Sequence, residues 1–341
     1  MRIALDATYS VGDALSGVGV YSREILQGLA ASGFPADWEW FYRSQRYWRA
    51  RSLPKPARVT QRFLADTFGS RGADLFHGLN QRLPKRRFRK QITTFHDLFV
   101  LSGEYSTPEF RDRFAAQARE AAAGSALIIA VSQFTADQVQ HYLGFAADRI
   151  RVIHHGVLPR NIPALPKENV VLCLGAIQRR KNQAALVRAF RAMPDTWRLV
   201  LAGSHGFGAD ETLAEIARSP ARDRIRVTGY LTDQEVGEWY ARSRIFAFPS
   251  LDEGFGIPVA EAMAAGIPVV VANRSALPEV AGDAAISIDP FNDEQLAAAL
   301  VQLGSDDELC WRLGVRGRER AASFTWKLAV EKTLAVYQEL L

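Results

Sequence analysis

Cysteine is nearly absent: the 341 residues include only Cys173 and Cys310. They form no metal-type pair, and both lie in apolar segments. A disulfide framework and a zinc site are therefore not expected, and both read as small core residues. Long hydrophobic runs are also missing. The longest, such as ALIIAV at 126–131 and IPVVVA at 267–272, fall well short of the ~20 residues a bilayer requires, so no transmembrane helix is expected. The first ten residues carry one basic side chain, an early Asp6 and no long apolar stretch. They read as a first strand rather than a secretion signal, which points to a cytoplasmic protein. No internal repeat, low-complexity tract or Asp-x-Asp triplet occurs.

What remains is an ordinary globular composition. Hydrophobic residues make up 48% and charged residues 23%, so disorder and fibrous classes are set aside. The length favours about two domains. Short runs rich in Val, Ile and Leu alternate with helical patterns, which is the form of repeated βα units around parallel sheets. Strand candidates are RIALDA, DLFHG, QITTFH, ALIIAVS and IRVIHH, then VVLCLGA, WRLVLAG, IRVTGY, IFAFPS, PVVVAN and AAISID. Two doubly wound α/β layers are expected. Three prolines in GVLPRNIPALPKEN, at 156–169, interrupt the rhythm and mark the linker. The expected domains are 1–158 and 159–321. A closing helix over about 322–341, with Trp326, Leu328, Val330, Leu334, Val336, Tyr337 and Leu340 at helical spacing, has to cover an apolar face.

The net charge of +5 is unevenly spread. From Arg43 to Arg62 there are seven Lys or Arg and no Asp or Glu, interleaved with Tyr47 and Trp48 and preceded by Trp38, Trp40 and Tyr42. A second cluster, KRRFRK, occupies 85–90. Basic residues mixed with aromatics suit an anionic membrane surface or a nucleic acid. Two solvated loops would look the same in sequence.

The stretch DEGFGIPVAEAMAAGIPVVV, at 252–271, carries the most specific chemistry. IFAFPS reads as a strand, the next residues as a turn needing glycine, and Pro258 as the first residue of a helix that stops at Gly266. A helix opening at the carboxyl edge of a parallel strand presents N–H groups to an anion such as phosphate. Carboxylates do not bind phosphate, so Glu253 and Glu261 call for another partner. Acceptor-only groups beside a phosphate suit sugar hydroxyls, and together the two glutamates fit the ends of a nucleotide sugar. A helix-dipole role for Glu261 and a simple tight turn at Gly254 and Gly256 are the plainer readings.

This run resembles the E-x7-E signature of the retaining GT-B glycosyltransferases of family GT4. The resemblance extends along nearly the whole chain, through SGVGVYSREIL, TFHDL, VSQFTADQV, VIHHGV, LGAIQRRKN, TGYLTDQEV, ALPEVAGDAAISIDP and FTWKLAVEKTL. It implies two Rossmann-like domains facing a cleft, the C-terminal helix crossing back to the first domain, and a nucleotide-sugar donor held by the second. His96, Arg180, Lys181 and Glu253 are the implied catalytic residues. Gly17, Gly19, Asp97, Gly229, Tyr230, Leu231, Gly254, Phe255, Gly256, Ile257 and Glu261 are the implied donor-binding residues. Two departures stand out. Ala176 and Ile177 follow Gly175 where many relatives carry an arginine, and His154 and His155 replace a frequent Tyr-Asn or Pro-Asn.

The expected activity is transfer of a hexose with retention, most like mannose from GDP-mannose, to a glycan or polyprenyl-diphosphate-linked acceptor in cell-surface polysaccharide synthesis. Arg180, Lys181 and helix amides supply positive charge, so no metal or other cofactor is required. The alternatives are a UDP-sugar donor, a GT-B nucleotide-sugar epimerase and a non-enzymatic polyanion-binding protein. No nucleic-acid partner is expected, and a peripheral position on the inner face of the cell membrane is compatible with the basic segment.

Overall fold

The computed structural model describes residues 1–12, 15–64, 72–85, 88–157 and 162–341. The expected boundary between 158 and 159 and part of the KRRFRK cluster lie outside the described residues. The chain divides into two compact units. The first comprises Met1–Ser102, Thr107–Gly156 and Thr325–Leu341, and the second Gly103–Ser106 and Val157–Phe324.

Unit 1 is built on a seven-stranded parallel sheet ordered β3-β2-β1-β4-β5-β6-β7. The strands are β1 (Arg2–Asp6), β2 (Asp37–Tyr42), β3 (Val59–Phe63), β4 (Leu75–Gly78), β5 (Gln91–Phe95), β6 (Leu127–Ala130) and β7 (Ile150–Val152). Sequence reasoning anticipated five of these and missed β2 and β3, which fall inside the segment read as a basic, aromatic surface. Trp38, Trp40, Phe41 and Tyr42 are 1%, 6%, 1% and 2% exposed. The strand they form is interior, paired with β1 on one side and β3 on the other. A strand covered on both faces does not alternate polar and apolar residues, which hides it from pattern reading. The arginines collect instead on the short helix Ser44–Arg51 and the loop after it. There Trp48 is exposed, with the Arg51 guanidinium 5.9 Å from its ring centroid. Phe88 of the second basic cluster stacks on Phe76 at 4.6 Å, so it too serves the interior.

The helix Trp326–Leu340 packs against the helix Gly17–Ala31 within unit 1. Gly28 makes the close approach possible, since a Cβ there would lie 2.4 Å from Val330 Cγ2. A buried polar chain adds direction to the apolar contact. The Tyr337 hydroxyl meets His77 Nδ1 at 2.6 Å, His77 Nε2 meets Thr94 Oγ1 at 2.9 Å, and Thr94 Oγ1 meets the Tyr21 hydroxyl at 2.8 Å. Val330, Val336 and Tyr337 are buried as their spacing implied, whereas Leu328 is 40% exposed and lies off the packed stripe.

Unit 2 carries a six-stranded parallel sheet ordered β10-β9-β8-β11-β12-β13. Its strands are β8 (Glu168–Leu174), β9 (Arg198–Ala202), β10 (Ile225–Gly229), β11 (Ser243–Phe248), β12 (Val269–Ala272) and β13 (Ala285–Ile288). All six were legible as short apolar runs. The order reverses between β8 and β11, which pair through Ile245–Val171 and Phe246–Leu172. Loops leaving the carboxyl ends of two strands at such a reversal part to opposite faces and leave a crevice between them, the usual ligand position in an open α/β sheet.

Candidate functional site: an ion cluster at the sheet reversal of unit 2

Two segments meet outside the carboxyl ends of β8 and β11. The first is the tight turn Arg179–Lys181, ended by Asn182 in the left-handed region at φ 54°. The second is the loop at 249–256, which leads into the helix Ile257–Ala264. A backbone contact joins them: the Leu251 N–H donates to the Arg180 carbonyl at 2.7 Å, and the Ser250 hydroxyl lies 3.1 Å from the same oxygen. The Arg180 guanidinium donates to the Asp252 carbonyl.

Glu253 sits at the centre, 7% exposed. Its Oε1 receives Lys181 Nζ at 2.5 Å and lies 2.6 Å from the Ser250 hydroxyl, while its Oε2 is 3.1 Å from Arg180. Lys181 also lies 4.7 Å from the centroid of the Phe248 ring. Burial pushes the Glu253 carboxyl up, but Arg180, Lys181 and the Ser250 hydrogen bond outweigh it and hold the group at about 2. Burial lowers the Lys181 ammonium, Arg180 adds to that, and Glu253 opposes it. The cluster is therefore an ionised carboxylate between two cations.

Glu253 was expected to grip sugar hydroxyls. In the structure its carboxylate holds the two cations instead, so its visible work is to place Arg180 and Lys181. Glu261, on the helix Ile257–Ala264, is 6% exposed. The Tyr240 hydroxyl donates to its Oε2 at 3.1 Å.

The other proposed donor residues divide by environment. Gly256 is left-handed at φ 96° and caps the helix, and a Cβ there would meet Leu277 Cδ2 at 2.8 Å. Ile257 is the first helical residue and Pro258 the second, one place later than the sequence suggested. Gly254 is buried. Phe255 is 3% exposed, its ring edge-on to Phe324 at 5.4 Å, so it is a core residue. Gly229 ends β10 at φ 73°, followed by half-buried Leu231 and by Tyr230, which is 61% exposed. This loop lies two strands from β8 in the sheet order, or roughly 10 Å at the usual strand spacing.

Within unit 1, His96 follows β5 and is 6% exposed. Its Nε2 lies 2.9 Å from the Leu79 carbonyl, an acceptor only, so Nε2 carries the proton and Nδ1 presents a lone pair. Burial lowers its pKa to about 4 against the Leu79 hydrogen bond, which leaves the ring neutral near pH 7. His155 stacks on it at 5.4 Å and 8°, and Tyr21 meets both rings edge-on. Asp97 is half-buried beside it. Gly17 is exposed at the start of its helix. Gly19 is buried, and a Cβ there would meet the Tyr9 carbonyl at 2.9 Å, so its missing side chain serves internal packing. Ser250 and Tyr240 were missed by sequence reasoning. Ser250 has only its position three residues before Glu253 as a signal, and Tyr240 is 21 residues from its partner in sequence.

Comparison with known proteins fits this arrangement. Residues 158–320 match the model of glycosyl transferases group 1, and residues 15–160 that of Glycosyltransferase Family 4. The O-antigen chain mannosyltransferase B of Escherichia coli is 32% identical over 286 residues, 78% of this chain and 74% of that protein. The chain belongs to the family 4, group 1 glycosyltransferases. A serotype-specific mannosyltransferase, WbdA, of Escherichia coli is 28% identical over 276 residues, 74% of this chain but only 34% of that longer protein. Among solved structures, the sucrose-phosphate synthase of Thermosynechococcus elongatus superposes with a TM-score of 0.79 at 21% identity, covering 99% of this chain and 98% of that one. WaaG, a glycosyltransferase involved in lipopolysaccharide biosynthesis, gives 0.74 at 16% identity, covering 98% and 99%. The fold is GT-B, and this glycosyltransferase carries its ion cluster at the sheet reversal of the second unit. Among the described residues no helix is long and apolar enough to cross a membrane.

Proposed function

We propose that this glycosyltransferase moves mannose from GDP-mannose, with retention, onto a glycan or polyprenyl-diphosphate-linked acceptor. The observation that supports a nucleotide-sugar site is the pair Arg180 and Lys181, both largely buried and held by Glu253 beside the β8–β11 reversal. Two preorganised cations in a water-poor setting stabilise charge that develops on a departing diphosphate. Mannose rests on the named activities of the relatives, and GDP as its carrier rests on the RRKN and HD contexts of the sequence resemblance.

In the proposed reaction the bond from the sugar's anomeric carbon to the diphosphate oxygen breaks, and both electrons leave with that oxygen. The acceptor hydroxyl forms its bond to the same carbon from the same face. Its proton passes to the departing phosphate oxygen. Arg180, Lys181 and the amides at the start of the helix Ile257–Ala264 balance the new charge, and the proposed reaction uses no metal. Glu261 receives hydroxyls of the nucleotide sugar, Tyr230 and its neighbours lie at the base end, and neutral His96 accepts a hydroxyl through Nδ1. The outward arginines and Trp48 of the helix Ser44–Arg51 suit an anionic bilayer carrying the acceptor.

The test is thermal-shift screening against GDP, UDP and ADP and their sugar conjugates, because a ligand that binds only the folded state raises the melting temperature. GDP-mannose should give the largest shift and then support transfer with an α-linked product. A larger shift with a UDP-sugar would move the donor assignment. Isomerisation or hydrolysis of donor without acceptor would favour an epimerase.

A further inference from the structure

The polar chain Tyr337–His77–Thr94–Tyr21 runs from the helix Trp326–Leu340 into unit 1, and its last member also touches His96. We propose that Tyr337 is a positioning residue for His96: through His77 and Thr94 it seats the Tyr21 ring, which keeps the His96 imidazole from turning and its Nδ1 directed at a substrate hydroxyl. The proposal rests on the reading of His96 as a hydroxyl-accepting group.

Docking the helix does not by itself call for this chain. Ala329, Val330 and Val336 already give it an apolar face, and Gly28 lets Val330 approach. Replacing both partners of a buried hydrogen bond by apolar groups of the same shape is nearly neutral or stabilising, whereas a satisfied network fixes one arrangement. Four side chains, each at most 1% exposed, are committed to that arrangement. Burial lowers His77 to about 3, so its ring is neutral and carries one proton. It donates at one nitrogen and accepts at the other, and the Tyr337 contact at 2.6 Å and the Thr94 contact at 2.9 Å together hold one tautomer. Thr94 and His96 are two residues apart, and Tyr21 spans them. Its hydroxyl lies 2.8 Å from Thr94 Oγ1, and its ring stands 4.7 Å from that of His96 at 78°. His96 Nε2–H is fixed on the Leu79 carbonyl at 2.9 Å, which leaves rotation about that bond as the remaining freedom of a ring whose terminal torsion is broad. A tyrosine pinned at its far end by Thr94 blocks that rotation. The direction of Nδ1 follows from the two contacts together.

The test begins with NMR of the full chain labelled at its histidine nitrogens, the His96 signals being assigned by their loss in His96→Gln. The wild type should show a protonated Nε2 and a lone pair on Nδ1. Tyr337→Phe, which keeps the ring, should shift both His96 nitrogens. Thr94→Val should do the same, and it decides the matter if Tyr337→Phe does not fold. Val336→Ala removes apolar packing from the same helix and should lower Tm while leaving the His96 signals in place. Titration with GDP and with GDP-mannose then reads the sugar contact. The ratio of the two dissociation constants should change by about threefold to tenfold in Tyr337→Phe, the size of one hydrogen bond. Adding Tyr337→Phe to His96→Gln, which keeps a donor toward Leu79 but has no Nδ1, should change the ratio no further. His96 nitrogens unmoved by both Tyr337→Phe and Thr94→Val, or moved as much by Val336→Ala, would overturn the proposal, as would an equal effect of Tyr337→Phe with and without His96. A ratio untouched by His96→Gln would overturn the reading of His96 and the functional half of the proposal with it. A wild type that binds neither GDP nor GDP-mannose would overturn the donor assignment instead, and the nitrogen signals would still decide whether Tyr337 orients His96.

Discussion

Glu253→Gln isolates the electrostatics of the ion cluster, because the amide keeps the shape and the acceptor oxygen but removes the charge. The carboxyl is held at about 2 against an ordinary 4.5, and each pKa unit is 1.36 kcal/mol, so its ionised form is favoured by roughly 3 kcal/mol in the folded state. The general cost of removing one partner from a buried ion pair is about 3–5 kcal/mol, which agrees. The variant should therefore lose about 3 kcal/mol of stability at pH 7, and the loss belongs to unit 2. The pH dependence has a definite sign. A carboxyl depressed on folding stabilises fully above its unfolded value of 4.5, and the contribution fades as pH falls toward about 2. The gap between wild type and variant should stay constant from pH 7 to about 5 and narrow below 4.5. Urea unfolding by tryptophan fluorescence, with amide exchange of unit 2 to locate the transition, measures it without assuming one global transition. A cost below about 1 kcal/mol at pH 7, or a gap undiminished at pH 3, would refute the reasoning. Transfer should fall as well, because Arg180 and Lys181 lose the group that places them.

Lys181→Met should abolish transfer and weaken nucleoside diphosphate binding by tenfold or more, a charge-assisted contact being about 1.5–3 kcal/mol; unchanged turnover would remove the cluster from the mechanism. In unit 1, burial lowers His77 to about 3 and His96 to about 4 and takes His155 well below its ordinary 6.5. The unfolded chain binds these protons first, so unit 1 should lose stability as pH falls below 6.5 toward 4, by up to about 1.4 kcal/mol per pH unit for each histidine; flat stability of unit 1 from pH 7 to 5 would contradict it. Trp38→Ala should cost about 3–5 kcal/mol as a core truncation and leave vesicle binding intact. Neutralising Arg46, Arg49 and Arg51 should do the reverse, reducing binding to anionic vesicles by about 1 kcal/mol per charge. If binding is unchanged, the membrane role of the helix Ser44–Arg51 is lost.

The sequence was most legible where function and local geometry coincide. The turn at Gly254–Gly256 and the helix after it were readable because a left-handed residue at φ 96°, pressed against Leu277, accepts glycine and little else. The six strands of unit 2 were readable because buried parallel strands are short, apolar and evenly spaced by helices. Strand β2 was not, because DWEWFY mixes charge with large aromatics, and which side chains face inward depends on β1 and β3 lying to either side.

By itself the sequence determined the α/β class and the glycine-capped helix opening after β11. It did so because turns, caps and periodicity are set by neighbours along the chain. Only the tertiary structure decided the partners: that Glu253 meets Lys181 across 72 residues and Arg180 across 73, that Tyr240 meets Glu261, and that His77 meets Tyr337 across 260. Such pairs form where sheet order and helix packing bring distant side chains to the same few ångströms. A hydrogen bond or ion pair depends on that final distance, which sequence separation does not encode.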